Sequence, residues 1–200
     1  MTTTTYLSCA ETAKLVRQAL KAAFPGQRFS VRSDVYSGGA SIRVRWTDGP
    51  RESDVDPVVK AFAGSRFDGM IDLAYGAAHA LSPDGEVMLL GTYGHSFGNE
   101  PLAEVPDGWT PVRFGADYVF ADRDLSPAYA ATLRVEAEKV LARNADLDGL
   151  SMDDAYWPYT PVWVPGADQS WPVGGPDSLI RVMSTVIRPD GTPFPTEGDE

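Results

Sequence analysis

Residues that commonly carry catalysis or cross-linking are scarce in this 200-residue chain: it has one cysteine, Cys9, and two histidines, His79 and His95. A single thiol cannot close a disulfide within the chain, which excludes a disulfide-stapled scaffold and fits a reducing cytoplasm. Long apolar runs are also missing. Val87-Met88-Leu89-Leu90 is typical of the longest, far below the roughly 20 residues of a helical membrane span. Met1-Thr-Thr-Thr-Thr-Tyr-Leu has neither a basic n-region nor a long apolar h-region, so no signal peptide is expected. Cations are the minority charge, 17 Lys and Arg against 28 Asp and Glu, for a net charge of −11. That balance argues against coating of nucleic acid by the whole protein.

What is present suffices for a core. The chain is 43% hydrophobic, which excludes wholesale disorder, and its length suits one domain or one plus an extension. Its charge is unevenly spread. Residues 1–50 carry +4, residues 51–100 −5, residues 101–145 −2 and residues 146–200 −8. A basic head and an acidic tail of this kind mark candidate interaction surfaces.

Ser8 and Glu11 have capping-box spacing, and Leu15, Val16, Ala19, Leu20, Ala23 and Phe24 recur with helical period before Pro25-Gly26. A helix over 9–24 follows. Phe29, Val31, Ser33 and Val35, then Ile42, Val44 and Trp46, alternate around Ser37-Gly38-Gly39, which reads as a hairpin. A short helix capped by Ser53 or Asp54 carries Val58, Val59 and Phe62 and closes at Gly64. A third strand is expected along Phe67, Ile71, Leu73 and Tyr75. The Ser82-Pro83-Asp84-Gly85 turn should join strands near 77–81 and 86–93. A loop over 91–111 and a strand over 117–121 come next. Ser126-Pro127 opens a helix to about Arg143. From 145 the chain becomes aromatic and proline-punctuated, then offers a short helix over 179–187, opened by Asp177 or Ser178, with a strand as the alternative that its β-branched content leaves open. Helices and strands do not strictly alternate, so the expected class is α+β: an N-terminal helix on an antiparallel sheet, a second long helix and an extended C-terminal arm. The implied boundaries are a domain over 1–145 and an acidic extension over 146–200.

The run from Lys14-Leu-Val-Arg-Gln-Ala-Leu through Phe24-Pro-Gly-Gln-Arg-Phe, and on through Tyr36-Ser-Gly-Gly-Ala-Ser-Ile-Arg-Val-Arg-Trp to Pro50, resembles the large polyvalent protein associated domain 29 family. Segments 55–62, Phe67-Asp-Gly-Met-Ile-Asp72 and Ala116-Asp-Tyr-Val-Phe120 are similar too. The resemblance implies a domain carried by phages, plasmids and other mobile elements, in the company of counter-defence or establishment functions. It implies no catalytic residue.

Catalytic signals are weak. Gly94-His-Ser-Phe-Gly98 matches the G-x-S-x-G elbow, but that motif needs a helix behind it and a later acid and histidine. No histidine follows His95, so the hydrolase order cannot be completed and a glycine-rich surface loop is the expected reading. His79 and His95 with scattered acids make at best a poor metal site, and no metal or cofactor is expected. Asp54/Asp56 and Asp153/Asp154 are read as acids near helix starts, where they favour the macrodipole. Cys9 is read as an inert thiol. The chain is therefore expected not to be an enzyme.

Two surfaces remain. Period-2 alternation puts Arg28, Arg32, Arg43 and Arg45 on the solvated hairpin face, near Lys14, Arg17 and Lys21. A patch of this kind would meet a phosphate backbone, although solubility alone also favours charge there, and only Tyr36 adds an aromatic ring. The C-terminal arm offers Tyr156, Trp157, Tyr159, Trp163 and Trp171, residue types enriched in interface anchors, although they could equally pin the arm to its own domain. The leading expectation is a non-enzymatic protein of a phage or mobile element that binds an unidentified host or element protein in counter-defence through this acidic, aromatic part. Mimicry of DNA by its acids is conceivable, though −11 is modest for that. The alternative is a nucleic-acid-binding module working through the arginine face. No membrane partner is expected.

Overall fold

Helix α1 (Cys9–Ala23) begins where the sequence places it, because Ser8 and Glu11 satisfy each other's orphan backbone groups. Ser8 Oγ accepts from the Glu11 N–H at 3.3 Å, and the Glu11 carboxylate accepts from the Ser8 N–H at 2.8 Å. The Ser8 hydroxyl also donates to that carboxylate at 2.6 Å, and this bond first, then the one from the Ser8 N–H, holds the Glu11 carboxyl below its ordinary value. The computed structural model describes residues 4–70, 72–93, 103–143, 149–155, 157, 160–162, 164 and 171–195.

Just before α1, Thr5–Ser8 forms strand β1, which pairs in parallel with β7 (Thr110–Gly115). After α1 come β2 (Ser30–Tyr36) and β3 (Gly39–Thr47), an antiparallel hairpin with Gly38 at φ +95°, and the short helix α2 (Glu52–Lys60). The single strand expected across 67–75 is instead two strands, β4 (Ser65–Asp68) and β5 (Leu73–Leu81), folded back on each other. Asp72 takes φ +52° at the start of β5, a left-handed conformation that Asp tolerates better than most residues. β6 (Val87–Tyr93) pairs with β5 through the expected turn, and Gly85 there has φ +93°. β8 (Tyr118–Asp124) joins the hairpin in the order β2-β3-β8.

The class is α+β, as expected, and the sheets are mixed rather than purely antiparallel. One runs β1-β7-β5-β4 with β6 on β5, its β1–β7 pair parallel. The other is β2-β3-β8. The Asp117 N–H bonds to the Ala40 carbonyl at 2.8 Å, and Asp122 meets Arg45 further along. β8 therefore runs in the same direction as β3. Val16 and Leu20 of α1, Ile42, Val44 and Trp46 of β3, Val55 and Val59 of α2, Phe114 of β7 and Val119 of β8 form one buried core.

The chain divides at a different place from the composition shift. One compact unit is Met1–Trp46 with Glu52–Arg123; the other is Thr47–Arg51 with Asp124–Glu200. Helix α3 (Pro127–Arg143) thus belongs with the C-terminal part. The reason is its apolar stripe: Tyr129, Leu133 and Ala137 share a core with Leu179, Met183 and Val186 of α4 (Pro176–Val186). Ser126 caps α3 by accepting the Tyr129 N–H at 3.1 Å. α4 opens at Gly175 with Pro176 in its first turn, two or three residues before the expected caps Asp177 and Ser178. β9 (Thr160–Val162) and β10 (Trp171–Val173) form an antiparallel pair in the same unit. With the observed boundary, the first unit holds 11 Lys and Arg against 14 acids, and the second 6 against 14.

Candidate functional site

The outward face of β2-β3-β8 gathers the most distinctive set of side chains. Along β3, Ala40, Ile42, Val44 and Trp46 are buried and Arg43 and Arg45 are exposed between them, as period-2 alternation requires. Register places Arg32 of β2 directly opposite Arg43, and Ser30 opposite Arg45. Two like charges facing each other are unfavourable. β8 supplies the relief: the Asp122 carboxylate lies 3.0 Å from Arg43 Nη1 and 3.8 Å from Arg45 Nε. The side chains of this triad are 43–58% exposed, so these bridges contribute at most about 1 kcal/mol.

β8 also brings aromatic rings to this face. Val119 points into the core, so its neighbours Tyr118 and Phe120 point out. Phe120 is 44% exposed, the Arg43 guanidinium lies 5.6 Å from its ring centroid, and Tyr118 stacks beside it at 6.1 Å with 29° between planes. Arg32, Arg43 and Phe120 thus form one cross-strand row, flanked by Tyr118. Tyr36, 48% exposed, lies on β2 with its ring over Gly39.

The seven-cation patch expected from sequence does not form as one surface. Arg32, Arg43 and Arg45 share the sheet face. Lys14 and Arg17 stand on α1, which packs its apolar side into the core on the sheet's other side. Arg17 Nη2 donates to the Val31 carbonyl at 2.6 Å, so it closes the edge of β2. Arg28 is exposed and precedes β2. Tyr118, Phe120 and Asp122 were missed as site residues. Their alternation in the sequence marks a strand, but nothing in it says that the strand lies beside β3.

The aromatic arm fares differently. Trp157 is 0% exposed, the largest of the fully buried side chains, and its indole N–H donates to the Ser151 carbonyl at 3.0 Å. It is a core residue of the second unit and cannot serve as a free contact, because burying its ring is what joins this segment to Leu133 and Leu179. Tyr156, Tyr159 and Trp163 lie outside the described residues, and Trp171 is described only by its backbone place in β10. Asp153 and Asp154 stand in a turn: Asp153 pairs with Arg134 at 2.5 Å, and Asp154 accepts the Ser151 N–H at 2.7 Å. Asp54 is in the first turn of α2.

Gly94–Gly98, with His95 and Ser96, lies outside the described residues. Cys9 is buried, with its thiol 3.5 Å from the Ser41 carbonyl; burial, above all, raises its pKa and keeps it a poor nucleophile. Among the described residues no group of three or more His, Cys, Asp or Glu is placed to hold a metal ion, and no helix is long and apolar enough to cross a membrane.

The model of the family described as large polyvalent protein associated domain 29 matches residues 7–126, more than half of the chain. The chain belongs to that family. The match takes in nearly all of the first unit, the arginine–aromatic face included, together with Thr47–Arg51 and the first three residues after Arg123, which belong to the second. The family's name associates the chain with large polyvalent proteins, a phage or mobile-element setting. No curated protein and no solved structure matches the chain.

Proposed function

We propose that this member of the family is a non-enzymatic nucleic-acid-binding module of a phage or other mobile element, working through the outward face of β2-β3-β8. The observation that carries this reading is the row Arg32–Arg43–Phe120 with Tyr118 beside it. Guanidinium groups suit phosphate oxygens, and outward-facing rings next to them suit bases. The weak, solvent-exposed pairing with Asp122 supports this use, since a phosphate can displace a carboxylate held by so little. The modest number of cations keeps the whole chain from behaving as a general polyanion sponge.

The test is retention of labelled DNA or RNA at about 50 mM salt, with affinity falling steeply as salt rises. The double variant Arg32→Ala/Arg43→Ala should abolish it. No retention by the wild-type chain would end this reading.

Capture of a host or element protein in counter-defence is a second reading, and the acid excess of the C-terminal unit is what favours it. It needs anchors other than Trp157. A pull-down from host lysate with the full chain tests it, and recovery of nothing would dismiss it.

A further inference from the structure

We infer that the ligand of this face is a single strand, whose bases stack on Phe120 and Tyr118 while its phosphates meet Arg32 and Arg43; the inference rests on the nucleic-acid reading above. Ring spacing is the first ground. The Phe120 and Tyr118 centroids are 6.1 Å apart, nearly twice the 3.4 Å rise per nucleotide of a duplex strand. Successive bases can each occupy one ring only if they have been pulled away from one another. In a duplex, each base face is already covered by the next pair, so neither ring has a partner there.

Surface shape is the second ground. Reading a duplex takes an element that enters a groove or a cationic track that follows two backbones. Here the rings and guanidinium groups lie on the face of a three-stranded sheet whose residues alternate in and out, a surface that bases can lie against. Charge is the third. Three arginines share the face, and Asp122 lies between two of them. That is enough to track a short stretch of one backbone and too little to neutralise two.

In this arrangement the Arg43 guanidinium, now 5.6 Å from the Phe120 centroid, turns towards the phosphate while a base takes its place over the ring. Nothing on this face distinguishes deoxyribose from ribose, so oligo-dT and oligo-U are separate arms of the test.

The experiment uses the full chain and measures fluorescence anisotropy of labelled oligo-dT and oligo-U of about 10 nucleotides, which is within the usual footprint of such surfaces. A mixed-sequence strand is run alone and annealed to its complement. The single strand should bind at least tenfold tighter than the duplex. Phe120→Ala should weaken single-strand binding about tenfold with the salt slope unchanged, and Phe120→Trp should restore it. Arg43→Ala should lower the salt slope by about 1. Because Phe120 is half exposed, both ring variants should melt with the wild type, which a thermal scan confirms. Equal binding of strand and duplex, or full affinity in Phe120→Ala, overturns stacking and leaves the nucleic-acid reading standing. No binding of any oligonucleotide overturns both.

Discussion

His79 lies near the C-terminal end of β5, 1% exposed, with its ring centroid 4.8 Å from that of Phe114, and among the described residues neither Nδ1 nor Nε2 has a hydrogen-bond partner. Burial first, and the Arg66 cation second, lower its pKa from 6.5 to about 4. The folded protein therefore holds a neutral ring at pH values where an unfolded chain would protonate it. The sign follows directly. Above pH 6.5 both states are neutral and nothing is lost. As the pH falls from 6.5 to 4, the unfolded state binds a proton that the folded state refuses, and stability declines. Linkage with these two values gives a loss of about 2 kcal/mol by pH 5, approaching about 3 kcal/mol near pH 4.

The assay must report on the first unit alone, because a two-unit chain need not unfold in one step. Hydrogen exchange of the amides of β5 and β7, corrected for intrinsic rates, reads the opening free energy where His79 sits. The comparison is wild type against His79→Leu at pH 7 and pH 5. Contributions from carboxylates and from the falling net charge are common to both proteins and cancel in the difference. His79→Leu should lose about 2 kcal/mol less than wild type over that interval. At pH 7 it should be at least as stable, since two buried, unpartnered nitrogens are gone. Equal losses in the two proteins would refute the reasoning.

Trp157→Ala should destabilise the second unit by about 3–5 kcal/mol, seen as early loss of protection in α3 and α4; unchanged protection would mean that the indole is not a core element. Gly64→Ala should be strongly destabilising, since its Cβ would lie 2.2 Å from the Phe114 carbonyl oxygen, and a thermal scan would show it. Gly85→Ala meets open space but keeps φ +93°, so it should cost only about 1 kcal/mol; a larger loss in the same scan than for Gly64→Ala would contradict both assignments. Asp122→Asn removes the carboxylate that competes for Arg43 and Arg45. It should tighten oligonucleotide binding and steepen its salt dependence, and weaker binding would count against the proposed face.

Features written in one local pattern were legible in the sequence. The capping box at Ser8, the alternation from Val31 to Trp46 and the Ser126-Pro127 start of α3 each need only a few neighbouring residues, and each element lies where those residues put it. Pairings over long separations were not. Thr5–Ser8 has no alternation of its own and becomes a strand only because β7 lies beside it in parallel. The stretch from Phe67 to Tyr75 resembles one apolar strand, yet its two ends pair antiparallel, Asp68 opposite Leu73. Gly76 of β5 leaves room for the Tyr93 ring of β6 beside it, since a Cβ on it would fall 2.3 Å from that ring. The boundary at 145 followed a change in composition, whereas the units follow shared burial, and α3 buries its stripe with α4. Half of the candidate site was legible for the same reason: the arginines belong to a hairpin, and the aromatic rings arrive from a strand some eighty residues away.

That distant strand ties the core to the proposed surface. Asp117, the residue before β8, accepts the Ala40 N–H on its carboxylate at 2.8 Å, donates its own N–H to the Ala40 carbonyl at 2.8 Å, and accepts the Ser65 N–H on its carbonyl at 3.2 Å. These bonds fix where β8 starts relative to β3. Side chains alternate with period two, so a slip of one residue would turn Val119 out to water and Phe120 into the core. Apolar burial and the ring–guanidinium row therefore depend on the same register. Core burial alone would not call for outward-facing rings at 118 and 120; here the register that buries Val119 also sets Phe120 beside Arg43.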